Sequence, residues 1–169
     1  MVAKTTTTSG PGLKKSGDPV RAHVLIIEAR FYEAIADFMA DGAMAELTAR
    51  GVTFERISVP GALEIPQVLA AASAARAAGR RAFDGAIALG CVIRGETFHY
   101  DIVCNNANHW LMDVATRQDV PVGNGILTVE NEAQALARAQ GGAAGKGGDA
   151  ARACLALIEI KRGFWGHAQ

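Results

Sequence analysis

The run Gly85-Ala86-Ile87-Ala88-Leu89 constrains the fold most: it is apolar throughout and bounded by glycines at 85 and 90. It is too short for a helix and carries no polar side chain. That fits a strand buried on both faces, as in a parallel sheet whose crossover helices cover each side. Residues 90–101 follow directly, Gly-Cys-Val-Ile-Arg-Gly-Glu-Thr-Phe-His-Tyr-Asp. Apolar residues then recur at Tyr100, Val103, Cys104, Ala107, Leu111 and Val114, the spacing of one helix face. The stretch therefore reads as strand, turn and helix start.

The same unit repeats along the chain. His23 to Ile27 is a first strand, and the segment beyond Tyr32 is helical to about Arg50, where Gly51 closes it. Val52 to Val59 is a second strand, followed by Pro60-Gly61-Ala62-Leu63-Glu64-Ile65-Pro66 and an alanine-rich helix that ends near Gly79. Pro121 to Val129 is a fourth strand, with internal glycines that mark close approach of another backbone or a ligand. A helix runs through Arg138, a glycine-rich loop spans 141–148, and Asp149 caps a last helix with Ala151, Cys154, Leu155 and Ile158 on its apolar face. Strict alternation predicts an α/β fold, a flavodoxin-like three-layer sandwich around a four-stranded parallel sheet. With 169 residues, half of them hydrophobic, one core and one domain over 20–165 are expected. The polar, Gly/Pro-punctuated segment 1–19 reads as a flexible tail and 166–169 as a short C-terminal one.

The turn after the third strand has chemical content. A helix N-terminus offers unpaired N–H groups and the positive end of the helix dipole to an anion. Gly95 allows close backbone approach, Thr97 adds a hydroxyl, and His99 sits in the first helical turn, placed to exchange protons with whatever carries that anion. Loops at the carboxyl ends of parallel strands share one edge. Phe31 and the Pro60–Pro66 segment with Glu64, Ala62 and Leu63 therefore join this turn, with the Asn124 region as a fourth candidate. An aromatic face, a carboxylate and an anion site suit a flat polar heterocycle beside a small phosphate.

Other functions are disfavoured. Lys plus Arg and Asp plus Glu are equal at 17 each, so no net field draws nucleic acid or an anionic membrane. No apolar segment is long enough to cross a bilayer, no signal-peptide core occurs, and the three cysteines contain no Cys-x-x-Cys pair, which together fit a cytoplasmic protein. The glycine-rich loop is not an ATP-binding phosphate loop, since Gln140 and Gly147 stand where a glycine and a Ser/Thr are required. Gly123-Asn124-Gly125 lacks the third glycine of a dinucleotide fingerprint.

Several residues have plain alternative readings. Phe31 could be core and Glu64 a first-turn acid, while Arg138 could be a C-terminal cation on its helix. His23, His109 and His167 read as structural or surface groups, and Cys91 lacks an activating base beside it in sequence. Arg138 lies about nine residues into its helix, roughly 13 Å from the helix start and towards the opposite edge. Lys146 and Asp149 belong there too. If these groups serve the pocket, a neighbouring subunit delivers them, which predicts a closed ring with shared active sites.

Five segments, in order, resemble the 6,7-dimethyl-8-ribityllumazine synthase family: Ala-Arg-Phe at 29–31, Pro-Gly-Ala-Leu-Glu-Ile-Pro at 60–66, Gly-Cys-Val-Ile-Arg-Gly-Glu-Thr-Phe-His-Tyr at 90–100, Gly-Ile-Leu-Thr-Val-Glu-Asn at 125–131 and Lys-Gly-Gly-Asp at 146–149. The likeness spans roughly residues 20–165. It implies a transferase of riboflavin biosynthesis that joins 5-amino-6-(D-ribitylamino)uracil to 3,4-dihydroxy-2-butanone 4-phosphate and needs no metal or other cofactor.

By that resemblance Phe31 would stack on the pyrimidine, Glu64 would bond the ribityl chain, and Ala62, Leu63, Val92 and Ile93 would complete the substrate-binding walls. Thr97 and the backbone at Gly95 and Glu96 would hold the phosphate, His99 would move protons, and Arg138 of the adjoining subunit would close the phosphate cradle, with Lys146 and Asp149 nearby. Asn124 departs from members that carry phenylalanine there. The family's assemblies are pentamers, stacked pentamers (decamers) or sixty-subunit shells. Two rival readings are an archaeal-type riboflavin synthase, which would need no phosphate cradle, and a non-catalytic flavin- or lumazine-binding or shell-forming subunit.

Overall fold

A computed structural model describes residues 19–165. The expected tails lie outside the described residues, apart from Pro19, as does His167. Strands and helices alternate as β1 (His23–Ala29), α1 (Glu33–Ala49), β2 (Thr53–Val59), α2 (Ile65–Ala77), β3 (Gly85–Ile93), α3 (His99–Arg117), β4 (Val122–Val129), α4 (Glu132–Ala139) and α5 (Lys146–Trp165). Short 3-10 turns at Ala62–Glu64 and Gly142–Ala144 lead into α2 and α5. Gly51 and Gly79 adopt left-handed backbone just beyond α1 and α2, ending those helices where the sequence placed their stops.

The sheet order is β2-β1-β3-β4, with every neighbouring pair parallel. The chain steps one way from β1 to β2, then the other way from β2 to β3 and on to β4. Right-handed crossovers put helices made in opposite directions on opposite faces. The core divides accordingly. Val24, Ile26, Ile87 and Leu89 pack with α1, α4 and α5, whereas Leu25, Ile27, Ala86 and Ala88 pack with α2 and α3. This is the expected flavodoxin-like sandwich, and β3 and residues 24–27 of β1 are apolar because these are its two central strands.

Three boundaries differ from the sequence reading. β3 continues past Leu89 to Ile93, since Cys91, Val92 and Ile93 pair in register with Leu127, Thr128 and Val129 of β4. α5 begins at Lys146, so Asp149 is not its cap. The Asp149 N–H donates to the Gly145 carbonyl inside the helix, and its carboxylate pairs with Lys146 and Arg152. Two helical glycines make the early start possible: a Cβ on Gly147 would fall 2.0 Å from the Met39 carbonyl oxygen of α1. Asn131 caps α4, its side chain accepting the Gln134 N–H at 2.9 Å. Arg138 is thus the seventh residue of a short helix, about 9 Å along it, less than the sequence suggested.

Candidate active site at the carboxyl edge of the sheet

β1 and β3 lie side by side, and the chain leaves them towards opposite faces, α1 on one and α3 on the other. Ligands of open parallel sheets bind at such a reversal. A cleft of about 400 Å³ opens there. Its walls are Phe31 and Tyr32 after β1, Pro60 to Glu64 after β2, Cys91 to Ile93 at the end of β3, Gly95 and Thr97 in the next loop, and His99, Tyr100 and Val103 of α3.

Each wall follows from its backbone. Phe31 is 73% exposed and rests edge-on against Tyr32, ring centres 5.0 Å apart, which leaves an aromatic face free for a flat ligand. Arg30 sets this turn. Its N–H donates to the Val59 carbonyl, and its guanidinium bonds Asp37 and the buried Glu28, which Arg56 also grips through two hydrogen bonds of 2.9 Å. In the 3-10 turn the carbonyls of Gly61, Ala62 and Leu63 accept bonds from Glu64, Ile65 and Gln67. The N–H groups of Ala62 and Leu63 open this turn and have no partner within it, so its offer to a ligand is donors. Thr97 lies in the exposed loop before α3, its hydroxyl 3.4 Å from the His99 N–H.

Of the predicted site residues, His99, Phe31, Ala62, Leu63, Glu64, Val92, Ile93, Gly95 and Thr97 line this cleft, and Glu96 is the exposed residue between two that do. Three others lie away from it. Asn124 is in mid-β4, in register with Ala88 and several residues short of the carboxyl edge. Its side chain donates to Asn108 at 2.7 Å and accepts the Ile126 N–H at 3.0 Å. Arg138 is exposed on α4, with one guanidinium nitrogen held at 3.0 Å by the Gln134 carbonyl. Lys146 is exposed on α5 and paired with Asp149 at 2.7 Å. The expectation that Asn124 shares the carboxyl-edge loops of its own chain is therefore corrected, because its strand runs five residues beyond it.

Tyr32, Cys91, Tyr100 and Val103 are cleft residues that sequence reasoning had not assigned. Tyr100 and Val103 belong to the apolar face of α3, and periodicity alone cannot tell that the first turn of this face meets the cleft while later turns meet the core. Burial pushes the Tyr32 and Tyr100 phenols up, and the Cys91 thiol up to about 11, so these groups stay protonated near neutrality. Cys91 is thereby disfavoured as a nucleophile. The unfolded thiol ionises first, so the fold loses stability from this group as pH climbs from 9.0 towards about 11. At pH 8 iodoacetamide should modify Cys91 in the folded protein roughly a hundredfold more slowly than in the unfolded chain. Labelling at equal rates, read by peptide mass spectrometry, would contradict that.

A parallel α/β sheet with an aromatic shelf, a row of backbone donors and a helix N-terminus around one cleft is an open-sheet arrangement that can seat a flat ring and an anion together. The chain belongs to the 6,7-dimethyl-8-ribityllumazine synthase family, whose profile matches residues 21–162. It is 51% identical over 150 residues to 6,7-dimethyl-8-ribityllumazine synthase 1 of Rhodopseudomonas palustris (strain ATCC BAA-98 / CGA009), covering 89% of this chain and 92% of that protein. It is 53% identical over 140 residues to 6,7-dimethyl-8-ribityllumazine synthase 1 of Rhizobium meliloti strain 1021, covering 83% and 92%. The 6,7-dimethyl-8-ribityllumazine synthase of Agrobacterium fabrum is 49% identical over 146 residues, covering 86% and 99%.

Proposed function

We propose that this protein condenses 5-amino-6-(D-ribitylamino)uracil with 3,4-dihydroxy-2-butanone 4-phosphate to give 6,7-dimethyl-8-ribityllumazine, phosphate and water, the penultimate step of riboflavin biosynthesis. The observation that carries it is the meeting, in one cleft, of Phe31, the donor turn at Ala62 and Leu63, Glu64, and the Thr97 loop with His99. The pyrimidine stacks on Phe31, and Glu64 with the donor turn holds the ribityl side. The phosphate sits at Gly95, Glu96 and Thr97, over the N-terminus of α3. Val92 and Ile93 form the wall between them.

The ring amine attacks the ketone and water leaves to give an imine. Phosphate is then eliminated with loss of the proton on the hydroxyl-bearing carbon, the resulting enol tautomerises to a new ketone at that carbon, and the ribitylamino nitrogen closes the second ring on it with loss of water. His99 moves protons between these nitrogens and oxygens. Holding two substrates together supplies much of the acceleration. The helix N-terminus favours the departing phosphate as its charge grows.

Arg138, Lys146 and Asn124 lie outside the cleft of their own chain, and β4 is an edge strand. Among the described residues no carboxylate pairs with Arg138. These features support a closed homo-oligomer, a pentameric ring, in which a neighbour's Arg138 completes each phosphate cradle. Among the described residues no helix is long and apolar enough to cross a membrane. We read residues 20–165 as one domain because both core layers share one sheet, and the protein as cytoplasmic.

Mixing the two substrates with the purified protein should yield lumazine fluorescence and equimolar phosphate. Neither product appearing would refute the assignment. Light scattering separates the ring from a stacked decamer or a sixty-subunit shell.

A further inference from the structure

We propose that Arg94 is a positioning residue for the reaction proposed above, a clamp that holds the phosphate-binding loop 95–98 in shape without itself touching the phosphate. Three elements meet on its side chain. Nε donates to both carboxylate oxygens of Glu130, beyond the end of β4, at 3.1 and 2.9 Å. Nη1 donates to Asp101, in the first turn of α3, at 3.3 Å. The guanidinium also stacks over the Tyr100 ring, 4.1 Å from its centre. The backbone is tied down as well, the Arg94 N–H donating to the Val129 carbonyl at 2.9 Å.

The loop it brackets has little else to hold it. Every residue from Gly95 to His99 is exposed, and a Cβ on Gly95 would meet nothing within 4 Å. The Thr97 hydroxyl lies 3.4 Å from the His99 N–H, a weak internal tie. Arg94 fixes both ends, the strand end through its own backbone and the helix start through Asp101 and Tyr100. His99 lies between these anchors and takes its position from them.

Two carboxylates face this one guanidinium, so Arg94 brings no surplus positive charge to the loop. A single exposed ion pair contributes little to stability. What matters here is shape: a planar fork with fixed donors and a stackable face joins three elements at once, and a lysine ammonium reproduces neither feature.

Because this inference rests on the proposed reaction, its test carries two readouts. Arg94→Ala and Arg94→Lys in the full chain are assayed with each substrate varied in turn, and amide hydrogen exchange is followed over 95–99. In both variants KM for 3,4-dihydroxy-2-butanone 4-phosphate should rise about tenfold while KM for the pyrimidine changes less than about twofold, with faster exchange confined to the loop. Native KM and native exchange in Arg94→Lys would overturn the clamp, since charge alone would then suffice. Parallel rises in both KM values with exchange accelerated throughout the chain would overturn it too, leaving only a structural role. If the wild-type protein forms no lumazine, the proposed reaction fails, and loop exchange in the two variants decides the clamp by itself.

Discussion

Arg138→Ala is expected to lower kcat/KM by about two to three orders of magnitude, against on the order of tenfold for His99→Ala. In the shared site proposed above the neighbour's arginine would supply a cation to a phosphate whose charge grows as it leaves, and the arginine that precedes the loop in its own chain is engaged elsewhere. Arg94 is bonded to Glu130 and Asp101. His99 is exposed at the start of α3, where water can carry part of the proton traffic if it is removed. Equal losses in the two variants, measured by steady-state kinetics, would contradict this division of labour. Mixing subunits tests the sharing itself. Rings assembled from equal parts Arg138→Ala and Phe31→Ala chains should regain about a quarter of wild-type turnover, because one site in four then pairs an intact shelf with an intact clamp. No recovery in mixed rings would mean that each chain uses its own arginine.

Gly123→Ala should cost about 3 kcal/mol or more, or prevent folding, while Gly95→Ala should stay within about 0.5 kcal/mol. A Cβ on Gly123 would fall 1.9 Å from the Ala150 carbonyl oxygen and 2.8 Å from its carbon. Both are backbone atoms of α5, so no side-chain rotation relieves the overlap; β4 and the helix would have to separate. At Gly95 the same methyl meets open space. Urea denaturation at fixed protein concentration measures the difference, and similar midpoints for the two variants would show that α5 packs on the sheet differently from the arrangement described here.

The glycines of β4 show how far sequence reading reaches. A glycine inside a strand announces close approach of a backbone or a ligand, and at Gly123 the neighbour is the backbone of α5. Asn124, between two such glycines, reads as part of the ligand edge because a glycine pattern does not say which of the two neighbours is approaching, and here it is the helix. Asp149 went astray for a related reason. An acidic residue ahead of an apolar face looks like a cap, but two glycines let α5 start a turn earlier against α1, and the carboxylate became half of a surface ion network. Cys91 to Ile93 were assigned to the turn because an isolated apolar run marks the buried centre of a strand, not the pairing with β4 that prolongs it.

Sequence by itself determined the fold class, because period-two and period-3.6 patterns are local and strict alternation admits few topologies. It also determined that the segments at Phe31, Ala62 to Glu64 and Gly95 to His99 meet at one cleft, since strand ends in a parallel sheet share one edge. Tertiary structure alone decided which groups remain free to act. The pairing of Arg94 with Glu130 spans 36 positions, that of Glu28 with Arg56 spans 28, and the fall of Asn124, Arg138 and Lys146 outside their own chain's cleft depends on strand length and helix start. Such partners are set by packing between distant segments, which no local pattern encodes.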